Sequence, residues 1–289
     1  MVLAEYLIGI ICILLFAIFA FKRDALTEEG TLTAIIIGLL VFIFPAAPIH
    51  GRIWFSLLAV FFISSFAVTK YGEAAKEAVN KQFAKGSTRD LMQVFANGAG
   101  AALVAVIYYF YPLPSVFLAF AAILATVNAD TWATELGVLS KSKPFLITSL
   151  KQVEPGVSGA ISRFGLFASA IGAGLIALSV VLLVYIDQIY FGIAEVFTVI
   201  PGGVFNFILF VTFFGIIGSI LDSVLGATVQ VMYYCKKCKC ETERTEHVCG
   251  KKTVYLKGIK FFDNDVVNLV SSLMAGVLAF FTFVVMFGY

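Results

Sequence analysis

Residues 113–136 read LPSVFLAFAAILATVNADTWATEL. From Leu113 to Val127 the run holds no charged side chain, and it then turns polar at Asn128, Asp130 and Glu135. About 20 apolar residues cross the hydrocarbon core as a helix, where every backbone N–H and C=O must be satisfied within the segment. The run is continuous rather than alternating, so it reads as a transmembrane helix and not as a barrel strand. Seven more stretches read the same way, at roughly 2–21, 31–48, 53–70, 92–111, 163–186, 203–231 and 264–287. The first has no basic leader and no small-residue cleavage pattern, so it is kept as a span rather than a signal peptide. The whole chain of 289 residues is 61% hydrophobic and 13% charged, with a mean hydropathy of +0.99, against about 25% charged in soluble domains. The expected fold is all-α: a polytopic transmembrane bundle of about eight spans, forming a single domain over 1–289.

Of the 20 Lys and Arg, all except Arg52 fall in the first, third, fifth and seventh loops. The positive-inside rule makes those loops cytoplasmic and puts both termini outside, as an even number of spans requires. Because topology accounts for the basic residues, the net charge of +2 gives no support to a nucleic-acid partner. Three cytoplasmic loops are long. Residues 72–90 (GEAAKEAVNKQFAKGSTRD) are rich in helix formers and predict an interfacial helix. Residues 137–162 are broken by Pro144 and by Pro155-Gly156, predicting a mostly irregular Gly/Ser loop. Residues 232–262 are polar and carry four of the five cysteines.

An ionisable residue within a span costs at least ~2.5 kcal/mol on insertion scales, so each needs a reason. Asp130, Glu135, Asp222, Asp263 and Asp265 all fall at or near the cytoplasmic leaflet in this topology. Asn128, Thr131 and Glu135 share one helix face, Ser219, Asp222, Gly226 and Gln230 another, and Asn264, Asn268 and Ser271 a third. Gln93 and Asn97 align above Arg89. Asp130 and Glu135, five residues apart, are separated by about 140° around a helix and do not form an adjacent pair. Converging carboxylates repel unless cations neutralise them, and Mg²⁺ is the economical cation for hard oxygen ligands that must also bridge phosphates. The alternative is that these residues cap helices or hold the bundle by hydrogen bonds; acids suit a helix start, so this applies most to Asp263 and Asp265.

Two loop motifs add to this. Lys151 to Arg163 (KQVEPGVSGAISR) is a glycine-containing turn into a helix, and its N–H groups with Lys151, Ser158 and Arg163 suit phosphate; a plain loop with a helix cap is the alternative. Cys235-Lys-Lys-Cys238 has the gap that lets two thiolates reach one tetrahedral Zn²⁺, with His247 and Cys249 to complete a structural site and Cys240 as a substitute ligand. The alternative there is a set of free cytosolic thiols.

The blocks NADTWATELG (128–137), PGVSGAIS (155–162), GSILDSVLGATVQ (218–230) and NDVVN (264–268), with KRDALTEEG (22–30), SSFAVTK (64–70) and STRDLMQVFANG (87–98) in the same order, resemble one membrane family. It contains plant phytyl-phosphate kinase of vitamin E biosynthesis with archaeal and animal membrane proteins, and it is distantly similar to dolichol kinase and the phosphatidate cytidylyltransferases. The resemblance implies phosphorylation of a prenyl monophosphate (phytyl or geranylgeranyl phosphate class) to the diphosphate, with CTP or another nucleoside triphosphate as donor. On that reading Asp130, Glu135 and Asp222 hold Mg²⁺, and Lys151, Ser158 and Arg163 hold nucleotide phosphate. Asn128, Arg89, Asn97, Asp265 and Asn268 stand around the site, which faces the cytoplasm. A secondary transporter with a carboxylate-lined site and a membrane cytidylyltransferase remain the alternatives.

Overall fold

The computed structural model describes residues 2–45, 50–71, 88–191 and 202–288. Among the described residues eight helices follow one another: α1 (Val2–Lys22), α2 (Glu28–Ile43), α3 (Gly51–Lys70), α4 (Leu91–Phe110), α5 (Pro114–Gly137), α6 (Arg163–Phe191), α7 (Gly203–Thr228) and α8 (Asn264–Phe287). Seven are long and apolar enough to cross a membrane. The exception is α2, with 16 residues, about 24 Å at 1.5 Å per residue. It starts earlier than the hydropathy implies because Thr27 caps it: its Oγ1 accepts from the Gly30 N–H at 3.1 Å, and Glu28 and Glu29 favour the positive helix end.

Successive helices alternate in direction, α2 included. Tyr6 of α1 meets Phe42 of α2, and Phe44 meets Tyr109 of α4, at one end of the bundle. Arg52 at the start of α3 pairs there with Asp187 near the close of α6, and α6 runs on to Phe191, past the residue expected to end it. At the other end Leu26 bridges to Arg89 and Thr69 of α3 reaches Glu135 of α5.

The centre of the bundle is α5. Every residue from Ser115 to Ala129 is buried, because α3, α4, α6, α7 and α8 all pack on it. Trp54 of α3 is fully buried, its ring centroid 4.2 Å from Phe120 and 4.8 Å from Tyr108. With no hydrophobic drive between helices in lipid, small residues set the spacing. A Cβ on Gly276 of α8 would come within 2.7 Å of Ile123.

Two loops depart from expectation. The segment 137–162 is not wholly irregular: β1 (Phe145–Leu146) pairs antiparallel with β2 (Ala160–Ile161). The cysteine segment carries a three-stranded antiparallel sheet, β4 (Cys240–Thr242), β3 (Met232–Cys235) and β5 (Val254–Lys257) in spatial order. Consequently α7 stops at Thr228, and Val229 and Val231 bond instead to Ile259 and Phe262. Most of the expected interfacial helix, 72–87, lies outside the described residues; 88–90 form the lead into α4.

Candidate functional site

A cavity of about 390 Å³ opens where the C-terminal ends of α3, α5 and α7 meet the N-terminal ends of α4, α6 and α8. Its walls carry Asp130, Glu135, Asp222, Asp265, Arg89, Asn97, Asn268 and Ser158. The structure thus gathers eight of the expected site residues from elements far apart in sequence.

The carboxylates form two groups. Asp130 is hydrogen-bonded by Ser219. Asp222 accepts from Ser271 Oγ at 2.8 Å and lies close enough to Asp130 for the two charges to repel. Glu135 stands apart, as the helical angle requires: it accepts from Thr69 Oγ1 at 3.0 Å and attracts Arg89. Asp265 is 4% exposed. Asp263 is a helix cap, its Oδ1 accepting from the Val266 N–H at 3.0 Å. The Asn268 Oδ1 is buried with no protein partner. Two facing aspartates and an unsatisfied amide oxygen are a donor set that fits a hard divalent cation.

Among the described residues Arg89 is the one basic side chain lining this cavity. Its backbone is held by the α1–α2 turn: its N–H donates to Ala25 O at 3.1 Å and its carbonyl accepts from Thr27 N–H at 3.0 Å. Its guanidinium lies 5.7 Å and 5.4 Å from the ring centroids of Phe61 and Phe62, within cation–π range. Burial lowers its pKa to about 10, opposed by the Glu135 carboxylate, so it is cationic at neutral pH.

The glycine-containing loop sits against the end of α7. Gly159 has φ +78°, and a Cβ there would lie 2.6 Å from the Ala227 nitrogen; neither that conformation nor that approach suits another residue. Ser158 Oγ donates to Gln230 Oε1 at 2.7 Å, and Gln230 Nε2 donates to Glu243 Oε1 at 2.7 Å. Ser162 caps α6, accepting from the Gly165 N–H at 3.0 Å, so a helix N-terminus points at the cavity.

Three residues expected at the site stand elsewhere. Asn128 is fully buried, accepting from Ser64 Oγ at 2.8 Å and donating to Gly172 O at 2.7 Å, and so ties α3, α5 and α6 together. Lys151 and Arg163 are exposed and do not line the cavity. Sequence reasoning missed Thr69 and Glu243. Thr69 sits on the same helix end as Lys70, and Glu243 is one acid among several in a polar loop, so neither carries a local signal.

A second cavity, about 60 Å³, lies between α1, α2, α3 and α4. Its walls are apolar, including Ile13, Phe16, Ile37, Phe55 and Leu58, except where Arg89, Gln93 and Asn97 form part of both cavities.

Similar proteins cover nearly the whole chain. Protein PGR of Arabidopsis thaliana is 29% identical over 283 residues, 91% of this chain and 91% of that protein. An uncharacterised membrane protein of Methanocaldococcus jannaschii is 29% identical over 269 residues, 93% and 90%. One of Synechocystis is 32% identical over 211 residues, 72% and 73%. No solved structure matches the chain. The family model described as integral membrane protein DUF92 matches residues 11–276, and on that match the chain belongs to the DUF92 integral membrane protein family.

Proposed function

We propose that this protein is a kinase that converts a prenyl monophosphate to the diphosphate, using CTP or another nucleoside triphosphate, at the cytoplasmic leaflet. The observation that carries the reading is the sharing of Arg89, Gln93 and Asn97 between an acid-lined cavity and an apolar one. A prenyl phosphate has the same two halves, an apolar chain and an anionic head. The cavity opens at the end of the bundle opposite Arg52, towards the loops that hold all the other basic residues, which supports the cytoplasmic side.

Phosphoryl transfer asks mainly for positioning and charge neutralisation. The acceptor is a phosphate oxygen already ionised at neutral pH, so no strong general base is needed. That oxygen attacks the terminal phosphorus of the nucleotide, the bond to the next bridging oxygen breaks, and the nucleoside diphosphate leaves. Arg89 would hold the lipid phosphate at the junction of the cavities. Ser158 and the N–H groups at the start of α6 would meet nucleotide phosphate. Asp130 and Asp222 would hold Mg²⁺, with Asn268 Oδ1 as a further oxygen; when bound, the ion neutralises phosphate charge. Glu135 is turned towards Arg89 and serves to orient it.

Incubating purified protein with prenyl phosphate and labelled CTP tests this. CDP with prenyl diphosphate supports the kinase. Pyrophosphate would make the protein a cytidylyltransferase, and no turnover with net movement of substrate into vesicles would make it a carrier.

A further inference from the structure

The sheet beside the cavity brings together a second set of chemically distinctive side chains. Cys235, Cys238, His247 and Cys249 each offer a ligand atom, and these four atoms all lie within 4.8 Å of one another. Cys235 and His247 are buried. The Sγ atoms of Cys235 and Cys249 are 3.7 Å apart. Two thiolates each about 2.3 Å from a tetrahedral zinc are about 3.8 Å apart, whereas a disulfide would hold them at about 2.05 Å.

The backbone is shaped to present them. After Cys235 the chain turns back so that Lys239 N–H donates to Cys235 O at 2.8 Å, with Lys239 in the left-handed region at φ 54°. The Cys238 N–H points at Cys235 Sγ, 3.5 Å away, the kind of outer contact that orients a thiolate ligand. The second pair repeats the device: Gly250 N–H donates to His247 O at 2.8 Å, with Gly250 at φ 74°. Two tight turns, each closed by a left-handed residue, thus face each other. Cys240 lies outside the group, its Sγ 3.5 Å from His247 Nε2.

We infer that Cys235, Cys238, His247 and Cys249 bind one structural Zn²⁺ that fixes the wall of the neighbouring cavity. The link is short. Strand β3 leaves Gln230 almost directly, and Gln230 joins Ser158 on one side to Glu243 on the other. Glu243 follows β4, the strand that Cys240 begins. This sheet has few residues with which to build an apolar core, so a metal would supply its rigidity. The inference is independent of the proposed kinase chemistry.

The test uses full-length protein in detergent, purified without a histidine tag. Metal analysis should find about one zinc per chain, and cobalt added after chelation should give an intense thiolate-to-metal charge-transfer band. Cys238→Ser and Cys249→Ser should lose the metal, while Cys240→Ser keeps it. Removing zinc should speed amide exchange in 229–243 by about tenfold or more and leave α5 unchanged. Below roughly a tenth of an equivalent of zinc, with no cobalt band on the intact protein, the site does not exist. Retention of zinc by the Cys238 and Cys249 variants, or its loss from Cys240→Ser, would overturn the ligand set.

Discussion

Arg89 and Glu135 line the same acidic cavity and attract each other, one from the lead into α4 and the other from the last turn of α5. Thr69 fixes the carboxylate from a third helix, and the guanidinium rests over two phenylalanine rings. Arg89→Ala should raise KM for the lipid phosphate and lower kcat/KM by about 10²-fold. Arg89→Lys should recover only part of this, since a point charge does not reproduce a planar fork. Steady-state kinetics with lipid phosphate varied at saturating nucleotide check both.

The pKa of Arg89 also makes a prediction about pH. Burial lowers it to about 10, so between that pH and the higher value of the unfolded chain the unfolded state binds more protons than the native one. The burial penalty is therefore constant below about 10 and is relieved as pH rises above it. Activity should show no alkaline loss from this group up to about pH 9. A falling limb near pH 8 that Arg89→Lys shifts would contradict the assignment.

Asp130→Asn and Asp222→Asn keep shape and remove charge. Each should lower kcat by about 10³-fold, the loss expected when several kcal/mol of metal-borne stabilisation goes. Thermal unfolding should be little changed, because the repulsion between the two carboxylates is relieved. Near-normal turnover in both variants would remove the metal from the mechanism.

If the apolar cavity receives the prenyl chain, filling it should discriminate by chain length. Ala34→Phe and Ala59→Phe both project into its lining. Each should raise KM for a long-chain prenyl phosphate about tenfold and spare a short-chain one. An equal effect on both substrates would place the chain elsewhere.

At the far end, Asp187 is 3% exposed and pairs with Arg52. Arg52→Ala should cost about 3 kcal/mol by leaving a buried carboxylate without its cation. The double variant Arg52→Ala/Asp187→Ala should be more stable than the single one. A detergent unfolding series on the four proteins of the cycle measures the coupling. The same end should be extracellular: a protease site beside Lys251 should be cut only from the cytoplasm, and one at the C-terminus only from outside.

The eight helices were legible because apolar runs of this length have one solution in lipid. The gathering of Asp130, Asp222 and Asp265 was legible too, since alternating spans must bring those helix ends to one side. Side-chain direction was not. Asn128 has the composition of a site residue, yet its amide is used up between Ser64 and Gly172. Lys151 and Arg163 have suitable charge beside a glycine turn, but the β1–β2 pairing and the start of α6 leave them exposed. Strands of two to four residues are too short for an alternating pattern, so both small sheets went unread. Glu243 reaches the cavity wall only through one of them.

The burial of α5 bears on how the protein is made. Its hydropathy, 1.5, is lower than that of α6 at 2.5, and it carries Asn128 and Asp130 into the bilayer. Of the helices packed around it, α6, α7 and α8 are synthesised after it. On entry the Asn128 oxygen can meet Ser64 of the earlier α3, but its amide nitrogen has no such early partner. The ribosome has to deliver α6 before Asn128 can find the Gly172 carbonyl. Slowing translation before α6 should therefore send more of this chain to degradation than slowing it after α8.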